Sequence, residues 1–516
     1  MMRPAFAQAR PLIHREGMEG LPNVEVRAAE EKRQLGLPAV GRLPHSKWLG
    51  SLNWRDQKGE AMRQRKSFWF AAGFAVLCFS QYLDAQEKPI VIVHGRMIDG
   101  LGGPPVEDAA LILQGNKIAY AGTARDAKAP SNAQVIDAKG KTVMPGLADM
   151  HVHLTGGWDG IGTDLLGYQR YLNAMLYSGI TTVMDTGNYQ PWVLQLRQEA
   201  ASGHLLSPRI YCTGAMVDAA DPAWPDLAYA LTSRTQIPEL VERDKRNGVD
   251  LIKGYANLSD RMLRRLVQEA HKQKLRVVID QWERNGSPDL VQTGIDGFAH
   301  APTRKMSADD IQTIKDHGLF VITTLVVEEY SGRRRLADLK FLEEPLIAET
   351  TPPWFLADLR AEATRNLSDA EKNEVRQSAT GFDEMVRNVK KLTDAGVLVA
   401  AGTDAPYPGL FQGEAMHHEL ELLVSAGMTP LEAIRSATSN AARIMHAEEE
   451  WGSLQAGRAA NVVIVAGNPA ERISDTRKVE TVILKGRILD RASLKFDIKR
   501  DPGFRAVSGN FSSPMQ

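Results

Sequence analysis

The chain has little cysteine: two residues in 516, Cys78 and Cys212. No disulfide framework can be drawn from so few, and a chain of this length buries enough core to do without one. An excess of charge of one sign is also missing, with 62 Lys and Arg against 63 Asp and Glu. A net charge of −1 gives no electrostatic reason to expect a nucleic acid or an acidic membrane surface as partner. Internal repeats and low-complexity tracts are absent, so no repeat architecture is expected. The apolar run Ser67 to Phe79 is too short for a dependable bilayer span. What remains, at 43% hydrophobic and 24% charged residues, is the composition of a globular protein.

Residues 1–61 are rich in Arg, Pro and Gly and lack sustained periodicity. They read as a disordered or mis-assigned upstream extension, with translation starting at Met62. Residues 62–85 then join a basic stretch, Arg63-Gln64-Arg65-Lys66, to the apolar run and to the small residue Ala85. That order is the pattern of a secretory signal peptide. The mature chain is expected to begin near Gln86 and to be periplasmic or secreted, with no stable membrane span after cleavage. The alternative is a disordered tail with an uncleaved anchor. Leu77, rather than a small residue, precedes Cys78, which argues against a lipoprotein. Cys212 then reads as a small buried hydrophobe in a strand.

Residues 86–143 have a β pattern: Ile90-Val91-Ile92-Val93, Ala110 to Leu113, Lys117 to Gly122 and Val135 to Asp137, each bounded by Gly, Asn or Pro. A small antiparallel sheet is expected. From 144 to 447 apolar strands alternate with helical stretches such as Arg261 to Val267, the mark of βα units around a parallel sheet. Eight strands are expected: Leu147–His153, Thr181–Asp185, Arg209–Cys212, Asp250–Lys253, Arg276–Asp280, Gly297–His300, Leu319–Thr324 and Val397–Thr403. They fit an α/β fold, a TIM-like (β/α)8 barrel. The long, charged stretch from Leu325 to about Ala395 could form a lid over it. Over residues 448–495 the β pattern returns, at Trp451 to Leu454, Asn461 to Val465 and Val479 to Leu484. These segments are expected to join the first sheet in a composite β-sandwich built from both chain ends. Residues 496–516 form a polar tail.

The chain is organised around Val143-Met144-Pro145-Gly146-Leu147-Ala148-Asp149-Met150-His151-Val152-His153. On a strand, residues two apart share a face, so His151 and His153 project together. Two imidazoles on one face at a strand end make half of a metal site. With 12 histidines in 516 residues, such a pair arises by chance about 0.3 times, so the context must carry the reading. In barrels the active site lies at the carboxyl ends of the strands. The polar residues expected there are His151, His153, Lys253, Asp280, His300 and Asp404. Each has a plainer reading. Lys253 could be a surface lysine, His300 a satisfied core histidine, and Asp404 a helix cap. Asp280 could cap a strand end or pair with Arg284. His94, His204, His271, His317 and His446 fall away from the strand ends. His417 and His418 follow the eighth strand and could touch the pocket or lie at the surface.

Four signals together resemble the amidohydrolase superfamily, in its imidazolonepropionase-like and Xaa-Pro dipeptidase-like branch. They are Pro145-Gly146-x-x-Asp149-x-His151-x-His153, Gly402-Thr403-Asp404, Leu431-Glu432-Ala433-Ile434 with Thr438-x-Asn440-Ala441-Ala442, and Gly452-Ser453-Leu454-x-x-Gly457. The resemblance runs from about Ile90 to Leu494. It implies a barrel beside a β-sandwich, one or two divalent metals (usually Zn2+) and hydrolysis of amide or related carbon–nitrogen bonds. It further implies that His151 and His153 are ligands from the first strand, His300 a ligand from the sixth, and Lys253 a bridge once carboxylated. Asp404 would hold the nucleophilic water and take its proton. Where the family has a histidine at the end of strand five, this chain has Asp280, an oxygen ligand with a charge and a shorter reach. Closer to one metal than two is therefore expected. The substrate would be a small molecule or dipeptide, and a homo-oligomer is compatible with the pattern. Two other readings stay open: a non-catalytic or ligand-binding relative with a degraded metal site, and a lactonase or phosphotriesterase.

Overall fold

A computed structural model of the chain describes residues 88–157, 160–161, 166–407 and 409–501. The upstream extension, the signal segment and most of the tail expected from the sequence lie outside these residues. Among the described residues, no helix is long and apolar enough to cross a membrane.

Strands from both sides of the chain make one eight-stranded sheet. Ile90–Met97, Val106–Gln114, Lys117–Thr123, Gln134–Asp137 and Lys141–Pro145 come from one side; Val462–Ala466, Val479–Leu484 and Arg487–Ile488 come from the other. The seam is antiparallel, with Val462 opposite Pro145 and Ile464 opposite Val143. Its buried face gathers Ile92, Leu111, Val143, Val462 and Ile483 into a core of its own. Two expectations are corrected here. The sheet is mixed, because Ile90–Met97 pairs in parallel with Gln134–Asp137 and with Lys141–Pro145. Parallel pairing needs a long crossover, and the hairpin Val106–Thr123 supplies it. Trp451 to Leu454 is not a strand: Gly452 sits at φ +92°, and Leu454 turns its N–H to the carbonyl of Asp99.

Between the two sides, the chain forms parallel strands with buried helices against them. Leu147–Val152, Ile180–Asp185 and Arg209–Cys212 make one parallel sheet. A second runs through Ala228–Leu231, Met216–Ala219, Ile252–Gly254, Val277–Ile279, Gly297–Phe298, Phe320–Ile322 and Leu398–Ala400. Hydrogen bonds tie the two sheets at both seams. Asp250 N donates to Cys212 O over 2.9 Å, and Met150 N to Ala401 O over 3.1 Å. Every one of the eight expected segments overlaps a strand; Arg209–Cys212 matches the expected bounds, and most of the others are shorter than expected. Gly297–Phe298 stops two residues before His300 because the backbone leaves the ladder there. The strands Met216–Ala219 and Ala228–Leu231 were not anticipated; their residues are too mixed in polarity to read as a buried run.

Helix Asp260–Lys272 shows how the outer layer forms. Leu263, Leu266, Val267 and Ala270 recur at helical spacing and are buried, while Ser259 caps the first turn by accepting from Met262 N. Truncating Leu266 to Ala would cost about 2–5 kcal/mol, the range for a buried leucine. The stretch after Leu325 is helical, with Leu325–Ser331, Pro353–Ala363 and the long Asp369–Asp394. Its Val326, Tyr330 and Leu336 pack with Ala405 and Leu410, just past Asp404.

Candidate metal centre

Small residues let the first strand lie close to the strands on either side of it. A Cβ at Gly146 would lie 2.2 Å from Thr181 Oγ1, and one at Gly402 would lie 2.9 Å from the Cβ of His151. Only glycine leaves the room. Asp149, His151 and His153 alternate along the strand, and the buried Asp149 binds the far side of the seam. It accepts from Thr403 N at 3.0 Å, from Thr403 Oγ1 at 2.7 Å and from His151 N at 3.3 Å. Asp404 follows in the left-handed region at φ +62°, a conformation that aspartate tolerates better than most residues.

His151, His153 and Asp404 converge. The Nδ1 atoms of the two rings lie 2.8 Å from Ala299 O and 2.7 Å from Gly187 O. A carbonyl only accepts, so Nδ1 carries a proton in each ring, and Nε2 is the atom turned to the site. Those nitrogens lie 3.2 and 3.1 Å from the same atom, Asp404 Oδ1. Burial pushes His151 down to about 3; the charge of Lys253 adds to the push and Asp404 opposes it. The ring is therefore neutral at pH 7. Two ring nitrogens and a carboxylate oxygen face one point in a buried site, an arrangement of donors suited to a divalent cation. The candidate ligand atoms all fall within 4.8 Å of one another, a span that one ion can bridge.

The other three sequence-named residues stand beside this group and pair with one another. Lys253, fully buried, puts Nζ 3.2 Å from His151 Nε2 and 3.5 Å from Asp280 Oδ2. His300 Nε2 lies 3.1 Å from Asp280 Oδ2 and 4.0 Å from Asp404 Oδ2, with Nδ1 held by Thr324 Oγ1 at 2.6 Å. Burial opposes the charge on Asp280, but His300 and Lys253 prevail and hold it well below the usual carboxylate range. Burial likewise opposes the charge on His300, and Asp280 reverses that, raising it above the ordinary value. One oxygen, Asp280 Oδ1, is buried with no hydrogen-bond partner.

A sequence model described as "Amidohydrolase family" matches residues 142–489, more than half of the chain. The chain belongs to the amidohydrolase family. An imidazolonepropionase of Brevibacillus brevis is 22% identical over 417 residues, covering 73% of this chain and 91% of that protein. An ochratoxinase of Aspergillus niger is 24% identical over 458 residues, covering 78% and 86%. A solved Xaa-Pro dipeptidase with methionine bound in its active site superposes with TM-score 0.64 at 21% identity, covering 78% of this chain and all (100%) of that one. At that identity the likeness shows the fold.

All six residues named from strand ends thus meet in one place in this amidohydrolase. The pairing of Asp280 with Arg284 does not occur: Arg284 binds Asp260 and Gln281, because the turn Trp282–Arg284 points it away. His417 and His418 are neither in the group nor at the surface. His417 is buried between Ser178 O and Thr476 Oγ1, and His418 pairs with Glu329 and Glu421. Burial pushes the Cys212 thiol up to about 12, which fits an inert core residue. Sequence reasoning missed the role of Asp149, although its alternation with the two histidines was the signal. It also missed Thr324 and the carbonyls of Gly187 and Ala299, which set ring tautomers and leave no trace in residue type.

Proposed function

We propose that this chain is a metal-dependent hydrolase of carbon–nitrogen bonds in small substrates such as dipeptides or cyclic amides. We further propose that its two parallel sheets close as a (β/α)8 barrel with the site at the carboxyl ends of the strands. The observation that carries the reading is the convergence of His151 Nε2, His153 Nε2 and Asp404 Oδ1, three atoms of the kind that hold a divalent cation. Nitrogen and oxygen donors of this kind fit Zn2+, and the buried lone oxygen of Asp280 fits a further, weaker contact. A bound divalent ion would polarise the scissile carbonyl and make a water more acidic.

The residues do the rest. Asp404 turns Oδ1 to the two histidines and leaves Oδ2 toward His300, so Oδ2 is placed to take a proton from the attacking water. The same oxygen can return it to the leaving nitrogen, which departs as an amine. Ala299 O and Gly187 O hold the imidazoles in the tautomer that keeps Nε2 bare. Asp280 and His300, as an ion pair against Lys253, balance charge next to the reacting group. That pair supports a single strongly held ion, with a second, or carboxylated Lys253, in competition with contacts already made.

The test is metal analysis of protein purified without chelator, followed by assay of dipeptides, cyclic amides and lactones before and after metal removal. Chelation-sensitive hydrolysis of the amides supports the reading; hydrolysis of the lactones alone would replace it with the lactonase alternative. We also propose export through the segment 62–85. Mass spectrometry of the exported protein should find an amino terminus near Gln86, and an intact Met62 would overturn cleavage.

A further inference from the structure

One flank of the site is aromatic. Tyr255, two residues beyond Lys253, sets its ring 5.2 Å from the Lys253 Nζ. Its hydroxyl accepts from Trp224 Nε1 at 2.9 Å and is thereby fixed. Trp282, two residues beyond Asp280, meets the Tyr255 ring edge-on, with centroids 5.9 Å apart and planes at 83°. Tyr189 and Tyr407 pack against the same cluster. Tyr255 directly follows the strand Ile252–Gly254, and Trp282 lies in the turn after Val277–Ile279.

Trp282 departs from its surroundings in two ways. It is 36% exposed, whereas Asp280 and Gln281 just before it are 1% and 4% exposed. It also holds φ at +42°, a left-handed conformation that a bulky aromatic residue adopts only at a cost. Folding alone would favour a small or polar residue at such a turn. An indole held in a strained conformation with an open face, beside buried charged groups, is arranged to be covered by something flat and apolar.

We propose that Trp282, backed by Tyr255 and Trp224, determines specificity by receiving an aromatic ring of the substrate next to the scissile bond. This rests on the hydrolase reading above and names its substrate class. A ring laid on Trp282 gains an offset or edge contact and removes apolar surface of both partners from water. The Tyr255 ring already lies near the ammonium of Lys253, so a neutral ring suits this flank better than a second cation.

The test compares N-acetyl-phenylalanine and N-benzoyl-alanine with N-acetyl-alanine, so that a ring on either side of the amide is sampled. The wild-type kcat/KM should favour at least one aryl probe by about tenfold or more. In Trp282→Leu, which keeps apolar bulk, and Trp282→Ala, that preference should fall towards unity, chiefly through KM. Trp282→Phe should restore most of it. Calorimetric binding of the same probes to metal-stripped protein gives a readout independent of turnover. If no probe is hydrolysed but aryl binding is lost in Trp282→Leu, N-acyl amino acids are excluded as substrates and the aromatic contact stands. If aryl and alkyl probes bind and turn over alike, or the preference survives both substitutions, the contact is refuted whatever the activity.

Discussion

The two halves of the site are built from similar residues and behave oppositely. In the half made by the first and last parallel strands, His151, His153 and Asp404 turn two ring nitrogens and a carboxylate oxygen to one point, an arrangement suited to a cation. In the half made by the middle strands, Lys253, Asp280 and His300 carry opposite charges and satisfy one another directly. The difference turns on one side chain. With a carboxylate at 280, the His300 imidazole gains a proton and a partner; it no longer presents a bare lone pair. A metal entering that half must displace an ion pair, whereas one entering the first half meets atoms already converged on one point.

The largest effect that would test this contrast is on turnover. Asp404→Asn should lower hydrolysis by about 10²- to 10⁴-fold, the usual worth of a positioned general base, with the fold kept. Circular dichroism and steady-state rates would check it, and an unchanged kcat would remove Asp404 from the chemistry.

Metal content comes next. The unmodified protein should hold closer to one equivalent than two. His153→Ala should empty the first half, while Asp280→His should raise the content towards two. Elemental analysis after dialysis decides this. Two tightly held ions in the unmodified protein, with Asp280 ligating one of them, would abolish the contrast between the halves.

The smallest effect is on stability against pH in metal-stripped protein. The His300 pKa is raised in the folded state, so its stabilisation is complete below its unfolded value of about 6.5 and is lost as pH rises through the folded value. Asp280 is depressed, so its share is present above about 3.9 and lost only as pH falls through its own folded value. Denaturant midpoints should therefore decline above about pH 6.5, and Asp280→Asn should flatten that decline. An unaltered slope would mean that the pair is not charged.

How far these features could be read in advance varied from residue to residue. Apolar runs such as Val277-Val278-Ile279 marked strands because burial on both faces leaves no polar alternation to confuse. The polar residue ending each run marked the site, since a polar side chain at the end of a buried strand needs a partner. The parallel pairing of Ile90–Met97 was invisible, because alternation fixes a face and says nothing of which strand lies alongside. Thr324 was invisible too: its hydroxyl matters only because the chain turns at φ +56° beside His300.

By itself, the order of residues determined which side chains stand at strand ends and that His151 and His153 share a face, because strand periodicity is a local property. Only the tertiary structure decided that Lys253, Asp280 and His300 meet that pair, and that Asp280 spends its charge on His300. Those contacts join residues far apart in the chain, Lys253 and His151 being 102 positions from one another, and such distances close only when the strands lie side by side.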